Sequence, residues 1–307
     1  MKTIKYIFLT FFYSLIFVGC SDYLNVSDEL AGELTMEEVF ENSNMTRRFH
    51  RYIYTGIPDM SNIIINGSYA PLGGLDNPWP ALCDELKAAQ NNVKTLPLTG
   101  YNAANAQLGR WGLYKQIRQA NLFLENAHEI PPSGQTDFIS EEELSSLKAE
   151  ARFLRAYYHY LLFELYGPIP IMDKSADPKS KDLDYSRNSI DEVVNFIDNE
   201  LMEVFPLLKE KEEKDRLAVP TKGVALALRA KLWIYAASPL FNGKYSEAVA
   251  LKDHEGRNLF PTEDKTKWNK AVQALEDFIA YAENGHYELY KVYNSDGSIN
   301  AEQSLYE

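Results

Sequence analysis

The sequence places aromatic rings beside short polar side chains in two Gly- and Pro-containing stretches, residues 56–80 and 91–108. The side chains in question are Tyr69, Asp76, Asn77 and Trp79 in the first stretch, and Tyr101, Asn102 and Asn105 in the second. An aromatic ring can cover the apolar face of a pyranose, while Asn and Asp bond to the hydroxyls at its edge. Long loops inside a compact domain are often functional. We therefore predict sugar contacts here, with a packed turn between Pro78 and Pro80 as the alternative for Trp79.

Residue patterns that would indicate catalysis or a metal site are missing from the sequence. The acidic residues fall in charge runs, such as 141–143 and 210–215, which are typical of solvated surfaces. The five His residues lack metal-ligand spacing, and there is no Gly-rich phosphate loop or serine-nucleophile motif. We predict no enzyme activity, no catalytic residue, no cofactor and no metal. Cys83 is expected to be a buried, inert thiol.

The charge balance argues against a nucleic-acid partner. The chain has 307 residues, of which 31 are Lys or Arg and 44 are Asp or Glu, so the formal net charge is −13. Binding to a phosphate backbone needs clustered Lys and Arg. The hydrophobic fraction of 45% is ample for a folded core.

Residues 1–19 are predicted to form a lipoprotein signal peptide. Lys2 and Lys5 precede an apolar run of about a dozen residues, which is too short to span a membrane. Gly19 and Cys20 then resemble a loose lipobox, which predicts cleavage before Cys20 and lipid attachment to its thiol. Several acyl chains would give stable anchoring. The alternative is an ordinary secretory signal that happens to end at a Cys.

Helical periodicity dominates the rest of the chain and predicts an all-α fold. The longest apolar stripe runs over residues 141–166 and has a second apolar face, so this helix should be packed on both sides. Further helices are expected near 111–124, 190–204, 221–237 and 266–283. Their predicted N-terminal capping residues are Thr35, Ser140, Ser189, Thr221 and Thr266, and the first three of these have Glu three residues later. Short turns between the helices indicate irregular tetratricopeptide-like hairpins with long loops.

Several segments together resemble the SusD/RagB family. Residues 20–24 read CSDYL and residues 114–124 read YKQIRQANLFL. The most specific part is EARFLRAYY at 150–158 followed by LYGPIP at 165–170, and PTKGVALALRAKL occupies 220–232. Each segment alone is an ordinary amphipathic helix or turn, but the combination is characteristic of this family.

The resemblance implies a SusD-like helical protein, lipid-anchored to the outer membrane and facing outward from the cell. Its partners would be a SusC-like TonB-dependent transporter and an oligosaccharide taken up as nutrient. A peptide ligand, or a scaffold that binds only proteins, are the alternatives. The resemblance divides the chain into an N-terminal helical region, residues 20–215, and the beginning of a C-terminal region, residues 216–307. Because family members are longer, we expect the C-terminal region to be truncated.

Some of the matched residues have a plain structural interpretation. Arg152 and Arg155 lie on an otherwise apolar helix, so they should pair with Glu164 or with a carboxylate of another helix. Asn121 is expected to bond to a neighbouring turn. Three aromatic residues are expected in the core, namely Trp111, Tyr114 and Trp233. The charged stretch 173–187 is interpreted as a solvated linker.

Overall fold

The protein is predominantly helical in the part of the chain that the structure describes. The computed structural model describes residues 34–60, 79–83, 85, 109–132, 137–177, 179–181, 184–211 and 218–306. In chain order the α-helices are α1 Met36–Glu41, α2 Ser43–Ile53, α3 Trp79–Leu82, α4 Leu113–Asn126, α5 Glu141–Tyr166, α6 Ile190–Val204, α7 Lys222–Ala237, α8 Ser246–Val249, α9 Lys267–Tyr281 and α10 Ala301–Tyr306. The prediction of an all-α fold is confirmed.

Shorter elements end some of these helices. The turns Tyr54–Gly56 and Phe205–Leu207 are 3₁₀-helical and follow α2 and α6, and a π-helical turn, Ala282–His286, follows α9. Two short strands, β1 Val292–Tyr293 and β2 Ile299–Asn300, form an antiparallel pair just before α10.

Successive long helices pack side by side as an array of hairpins. α4 packs on α5, α5 on α6, α6 on α7, and α7 on α9. The end of α5 lies beside the start of α6. A methyl group added to Gly167, just after α5, would lie only 3.4 Å from the side chain of Ile190, the first residue of α6. Each helix therefore shields one face of the next, which short connections between antiparallel neighbours favour.

Helix α5 forms the centre of this array and is buried on two sides, as predicted. Leu154 and Leu161 on one face and Phe153 and Tyr160 on the other are all buried. Burying a large apolar side chain contributes roughly 1.5–3 kcal/mol, so the two faces of α5 dominate the core. The Tyr158 hydroxyl also donates to the backbone carbonyl of Ile53, which joins α5 to the end of α2.

The predicted helix caps are only partly right. Reciprocal capping boxes occur at Thr35 and Ser189. Ser140 accepts from the backbone N–H of Glu143 at 3.2 Å. The Glu143 carboxylate, however, pairs with Arg47 of α2 and does not return to Ser140. The predicted caps at Thr221 and Thr266 are wrong, because neither side chain caps its helix. The Thr266 hydroxyl instead donates to Asp264.

Helix α5 ends at Gly167, which has φ 69° and ψ −109°. This region of φ and ψ is strained for residues with a Cβ, so Gly167 permits an abrupt change of direction. Pro168 then prevents the helix from continuing, and the chain runs on in extended form, as expected from its prolines. This exit directs the following segment back along α5 and toward α4.

Helix α9 contacts α7 with one face and exposes apolar residues on another. Ala271 and Ala274 are buried. The exposed residues are Trp268, Val272, Leu275 and Ile279. Within the described parts of the chain, no helix is long and apolar enough to cross a membrane.

Candidate functional site

A cavity of about 440 Å³ lies between α4 and the segment that follows α5. Helix α4 and the turn before it contribute Trp111, Tyr114, Arg118 and Asn121. The segment after α5 contributes Pro170, Met172, Lys174, Ala176, Asp184 and Tyr185. The volume lies in the range of small-molecule sites, and the lining combines aromatic rings with a few polar groups.

The α4 side of the cavity is one face of the helix and its leading turn. The four lining residues follow one another at steps of three, four and three, which brings them into line on the helix surface. Ile117, Ala120 and Phe123 point into the core from the other side of α4. The apolar packing of α4 therefore fixes the direction of the cavity face.

Two aromatic residues of the cavity remain substantially exposed. Trp111 is 42% exposed and Tyr185 is 45% exposed. The Trp111 ring stacks on Tyr166, with centroids 4.1 Å apart and planes at 13°. The Tyr166 hydroxyl is held in turn by the backbone N–H of Arg110 at 2.5 Å. The Tyr114 ring also lies nearly parallel to the indole, with centroids 6.0 Å apart and planes at 11°. The two tyrosines therefore hold the indole at a fixed angle, while much of the residue stays accessible.

The cavity floor is an extended stretch that we call the pinned segment, residues 169–175. The Pro170 carbonyl accepts from the Tyr114 hydroxyl at 2.7 Å, and the Met172 carbonyl accepts from Asn121 Nδ2 at 3.0 Å. The Ile171 N–H donates to Asn188 Oδ1 at 2.9 Å. Side chains of the surrounding helices and loops thus satisfy backbone groups that a strand would satisfy by pairing.

Two buried side chains of α5 complete the support of this segment. His159 accepts from the Met172 N–H through Nε2 at 3.1 Å, and its Nδ1 lies 2.8 Å from the Arg155 carbonyl. These partners assign the proton to Nδ1. Arg155 donates from Nη1 to the carbonyl of Asp173 at 2.8 Å and to Asn121 Oδ1 at 2.9 Å.

The charge of Arg155 is balanced by α6. Its Nε and Nη2 both donate to Glu200 Oε2, at 3.1 and 2.5 Å. Arg152 donates to the other oxygen of Glu200 and to Glu203, both at 2.6 Å. The prediction that both arginines pair with a carboxylate of another helix is confirmed, with Glu200 as the shared partner.

Burial keeps the groups beneath the cavity neutral. Desolvation lowers the pKa of His159 to about 4, so the ring is uncharged near neutral pH. Desolvation also raises the pKa of the Tyr114 phenol, while the nearby Arg187 acts in the opposite direction. Tyr114 therefore stays protonated and continues to donate to Pro170.

Six of the seven side chains predicted to contact sugar lie outside the described residues, namely Tyr69, Asp76, Asn77, Tyr101, Asn102 and Asn105. Cys20 also lies outside them. Trp79 opens α3 and is half-buried, and it is not part of the cavity lining.

The cavity differs from the sequence interpretation at several points. The assignment of Trp111 to the core is wrong, because the residue is 42% exposed. Trp233 is buried, as predicted. Part of the stretch 173–187, interpreted as a solvated linker, forms a cavity wall. The sequence did contain a signal for this cavity, since Arg118 and Asn121 follow Trp111 and Tyr114 at helical spacing and so place polar and aromatic side chains on one face of α4. Cys83 is exposed, so its predicted burial is also wrong.

A second cavity, of about 390 Å³, is lined by residues from the turn after α2, from α5, and from α7 and the residues just before it, and it is more uniformly apolar. Two of its polar side chains, Tyr54 and Lys231, are already engaged. The Tyr54 hydroxyl donates to Glu150 at 2.6 Å, and Lys231 pairs with Glu164 at 3.3 Å. Among the described residues, no group of His, Cys, Asp or Glu side chains is arranged to hold a metal ion. The cavity lined by Trp111 and Tyr185 is therefore the candidate site.

Comparison with known families agrees with the segments picked out in the sequence. The family model described as "SusD-like_3: Starch-binding associating with outer membrane" matches residues 84–234. The match covers 151 of the 307 residues, from 84 to 234, and supports the resemblance of the chain to the SusD/RagB family. No curated protein sequence matches it.

Solved structures show the same SusD-like fold. A protein named BT4246 shares 25% sequence identity, with a TM-score of 0.58 over 82% of this chain and 42% of its own. A SusD homolog from Bacteroides thetaiotaomicron shares 17% identity, with a TM-score of 0.54 over 86% of this chain and 44% of its own.

A third similar structure is described as a SusD-like carbohydrate binding protein, BF0978, from Bacteroides fragilis. It shares 17% identity, with a TM-score of 0.54 over 81% of this chain and 42% of its own. The chain thus spans less than half the length of these SusD-like relatives.

Proposed function

We propose that this SusD-like protein binds oligosaccharides at the cell surface and passes them to a SusC-like TonB-dependent transporter for nutrient uptake. The family description names starch binding and association with the outer membrane, and BF0978 is described as carbohydrate binding. We propose binding rather than catalysis as the role of the chain. Formation of shorter products from a bound oligosaccharide would contradict this.

The accessible rings of the cavity carry the proposal. The Trp111 ring stacks on Tyr166, and Tyr185 lines the same cavity. A pyranose can place its apolar face on such a ring, and rigid aromatic contacts cost little conformational entropy on binding. Arg118 and Asp184 at the lining can bond to hydroxyls at the sugar edge.

Trp111→Ala is expected to weaken oligosaccharide binding roughly tenfold, which corresponds to about 1.4 kcal/mol of lost stacking. Isothermal titration calorimetry with starch, laminarin and acidic oligosaccharides would measure the change. Trp268→Ala is the matched control, because Trp268 of α9 is 48% exposed and is not a cavity residue. It should leave the affinity unchanged.

The same titration separates this cavity from the loops indicated by the sequence. If Tyr101→Ala or Trp79→Ala abolishes binding while Trp111→Ala and Tyr185→Ala do not, then the sugar binds at the loops. Peptides belong in the same panel, because they are the competing ligand class. Peptide binding at the cavity without oligosaccharide binding would overturn the proposed function.

Lipid anchoring at Cys20 is part of the same proposal. The basic start, the apolar run and Gly19 before Cys20 support it. The protein purified from its native membrane should begin at Cys20 and carry the mass of attached acyl chains. Cys20→Ser should release it from the membrane fraction. A wild-type protein without acyl mass at Cys20 would contradict the anchor.

A further inference from the structure

The candidate site carries more positive charge than the chain that surrounds it. Among its lining residues Arg118 and Lys174 are cationic and only Asp184 is anionic, whereas acidic residues outnumber basic ones 44 to 31 in the whole chain. Arg187 lies close enough to Tyr114 to influence the phenol electrostatically. A local excess of cations in an acidic protein concentrates anionic ligands at that place.

The two cationic side chains of the lining, Arg118 and Lys174, form no hydrogen bond or ion pair with the described residues. Both are exposed. Arg152 and Arg155, by contrast, hold the neighbouring helices together through Glu200. The amide of Asn121 is not free for a ligand either, since its Nδ2 donates to the Met172 carbonyl and its Oδ1 accepts from Arg155. Arg118 is therefore the cavity side chain on α4 best suited to bind an anion.

Aromatic rings beside the cationic side chains of Arg118 and Lys174 match the chemistry of acidic sugars. A hexuronate has the apolar face of a pyranose and a carboxylate at its edge. Trp111 or Tyr185 can cover the face while Arg118 forms a bidentate pair with the carboxylate and Lys174 adds a second charge. A neutral sugar would use the rings and would offer Arg118 only hydroxyl groups, so it would neutralise neither cation.

Building on the proposed function, we infer that the ligand of the cavity formed by Trp111, Tyr185, Arg118 and Lys174 is an acidic oligosaccharide that contains uronic acid residues. Asp184 limits the net charge of the lining to one positive unit. A stretch with alternating acidic and neutral sugars fits this balance as well as a fully acidic one.

The test compares acidic oligosaccharides with their neutralised forms. Oligomers of galacturonate and of alginate are titrated calorimetrically against the lipid-free protein, each beside its methyl-esterified counterpart. We expect the acidic forms to bind at least roughly tenfold more tightly. Their affinity should fall as salt rises, because exposed charges are screened.

Arg118→Gln should remove most of the preference for the acidic form and leave the affinity for the methyl ester nearly unchanged. Arg48→Gln is the matched control, because Arg48 is an exposed arginine of α2 that is not part of the cavity. It should preserve the preference. Since Arg118 is exposed, the variant should also keep the wild-type unfolding transition, which circular dichroism would verify.

Two negative results have different meanings. If neutral starch or laminarin oligomers bind through Trp111 while the acidic oligomers bind no better than their esters, the inference of an acidic ligand is wrong and the proposed function survives. If no oligosaccharide of either kind binds, the proposed function fails together with the inference.

Discussion

Arg155→Ala is expected to lower the free energy of unfolding by about 3–5 kcal/mol. Arg155 is buried, and its guanidinium donates to Glu200, to Asn121 and to the Asp173 carbonyl. The truncation leaves the buried Glu200 carboxylate with only Arg152 as its cation, and it removes the donor of two further buried or half-buried acceptors. Each of these groups then loses a partner without regaining water.

Urea denaturation followed by circular dichroism would measure this loss. Lys244→Ala serves as the comparison, because Lys244 and Glu263 form an ion pair with Lys244 half in solvent. Exposed pairs contribute little, so this variant should lose less than about 1 kcal/mol. A similar small loss in Arg155→Ala would show that the buried network does not hold α4, α5 and α6 together as described.

The stability of the wild-type protein is expected to fall by about 3 kcal/mol through His159 alone as the pH drops from 6.5 to 4. Burial lowers the pKa of His159 from 6.5 to about 4 in the folded protein. Between these two values the unfolded chain binds the proton and the folded chain does not, so acid favours unfolding. Above pH 6.5 the full contribution is present. Protonation at Nε2 would also break the bond from the Met172 N–H.

A variant without a titrating ring isolates this effect from the many carboxylates that titrate in the same range. His159→Gln should be less stable than wild type at pH 7, and the difference should shrink by about 3 kcal/mol toward pH 4. The groups around His159, namely Arg155, Glu200 and Asp173, are common to both proteins. A difference that stays constant with pH would contradict a buried, neutral His159.

The helical scaffold was predictable because its signals are local. The stripe at 141–166, its capping Ser140 and the Gly167–Pro168 stop define α5 with correct bounds. The charge on its apolar face correctly indicated that Arg152 and Arg155 would pair with another helix. The capping box at Ser140 failed for a non-local reason, since Arg47 of α2 takes the Glu143 carboxylate.

The cavity was not predictable from local signals. Its floor follows a path set by hydrogen bonds from residues far away in the chain, such as Tyr114 to Pro170 and Asn121 to Met172. Periodicity alone assigns Trp111 to the core, because an aromatic residue in line with a helical stripe is usually buried. The contact with Tyr166, at the far end of α5, is non-local, and it leaves Trp111 42% exposed.

The residues that hold the pinned segment in place are different from the residues of the 176–187 stretch that line the cavity. Its anchors come from α4, α5 and the position just before α6, at Tyr114, Asn121, Glu125, Arg155, His159 and Asn188. The described residues between 176 and 187, which include Asp184 and Tyr185, supply none of these anchoring bonds. Substitutions confined to residues 176–187 are expected to change ligand preference without breaking the hydrogen bonds that hold the pinned segment. Ligand specificity can therefore change through residues 176–187 while the packing of α4, α5 and α6 stays the same.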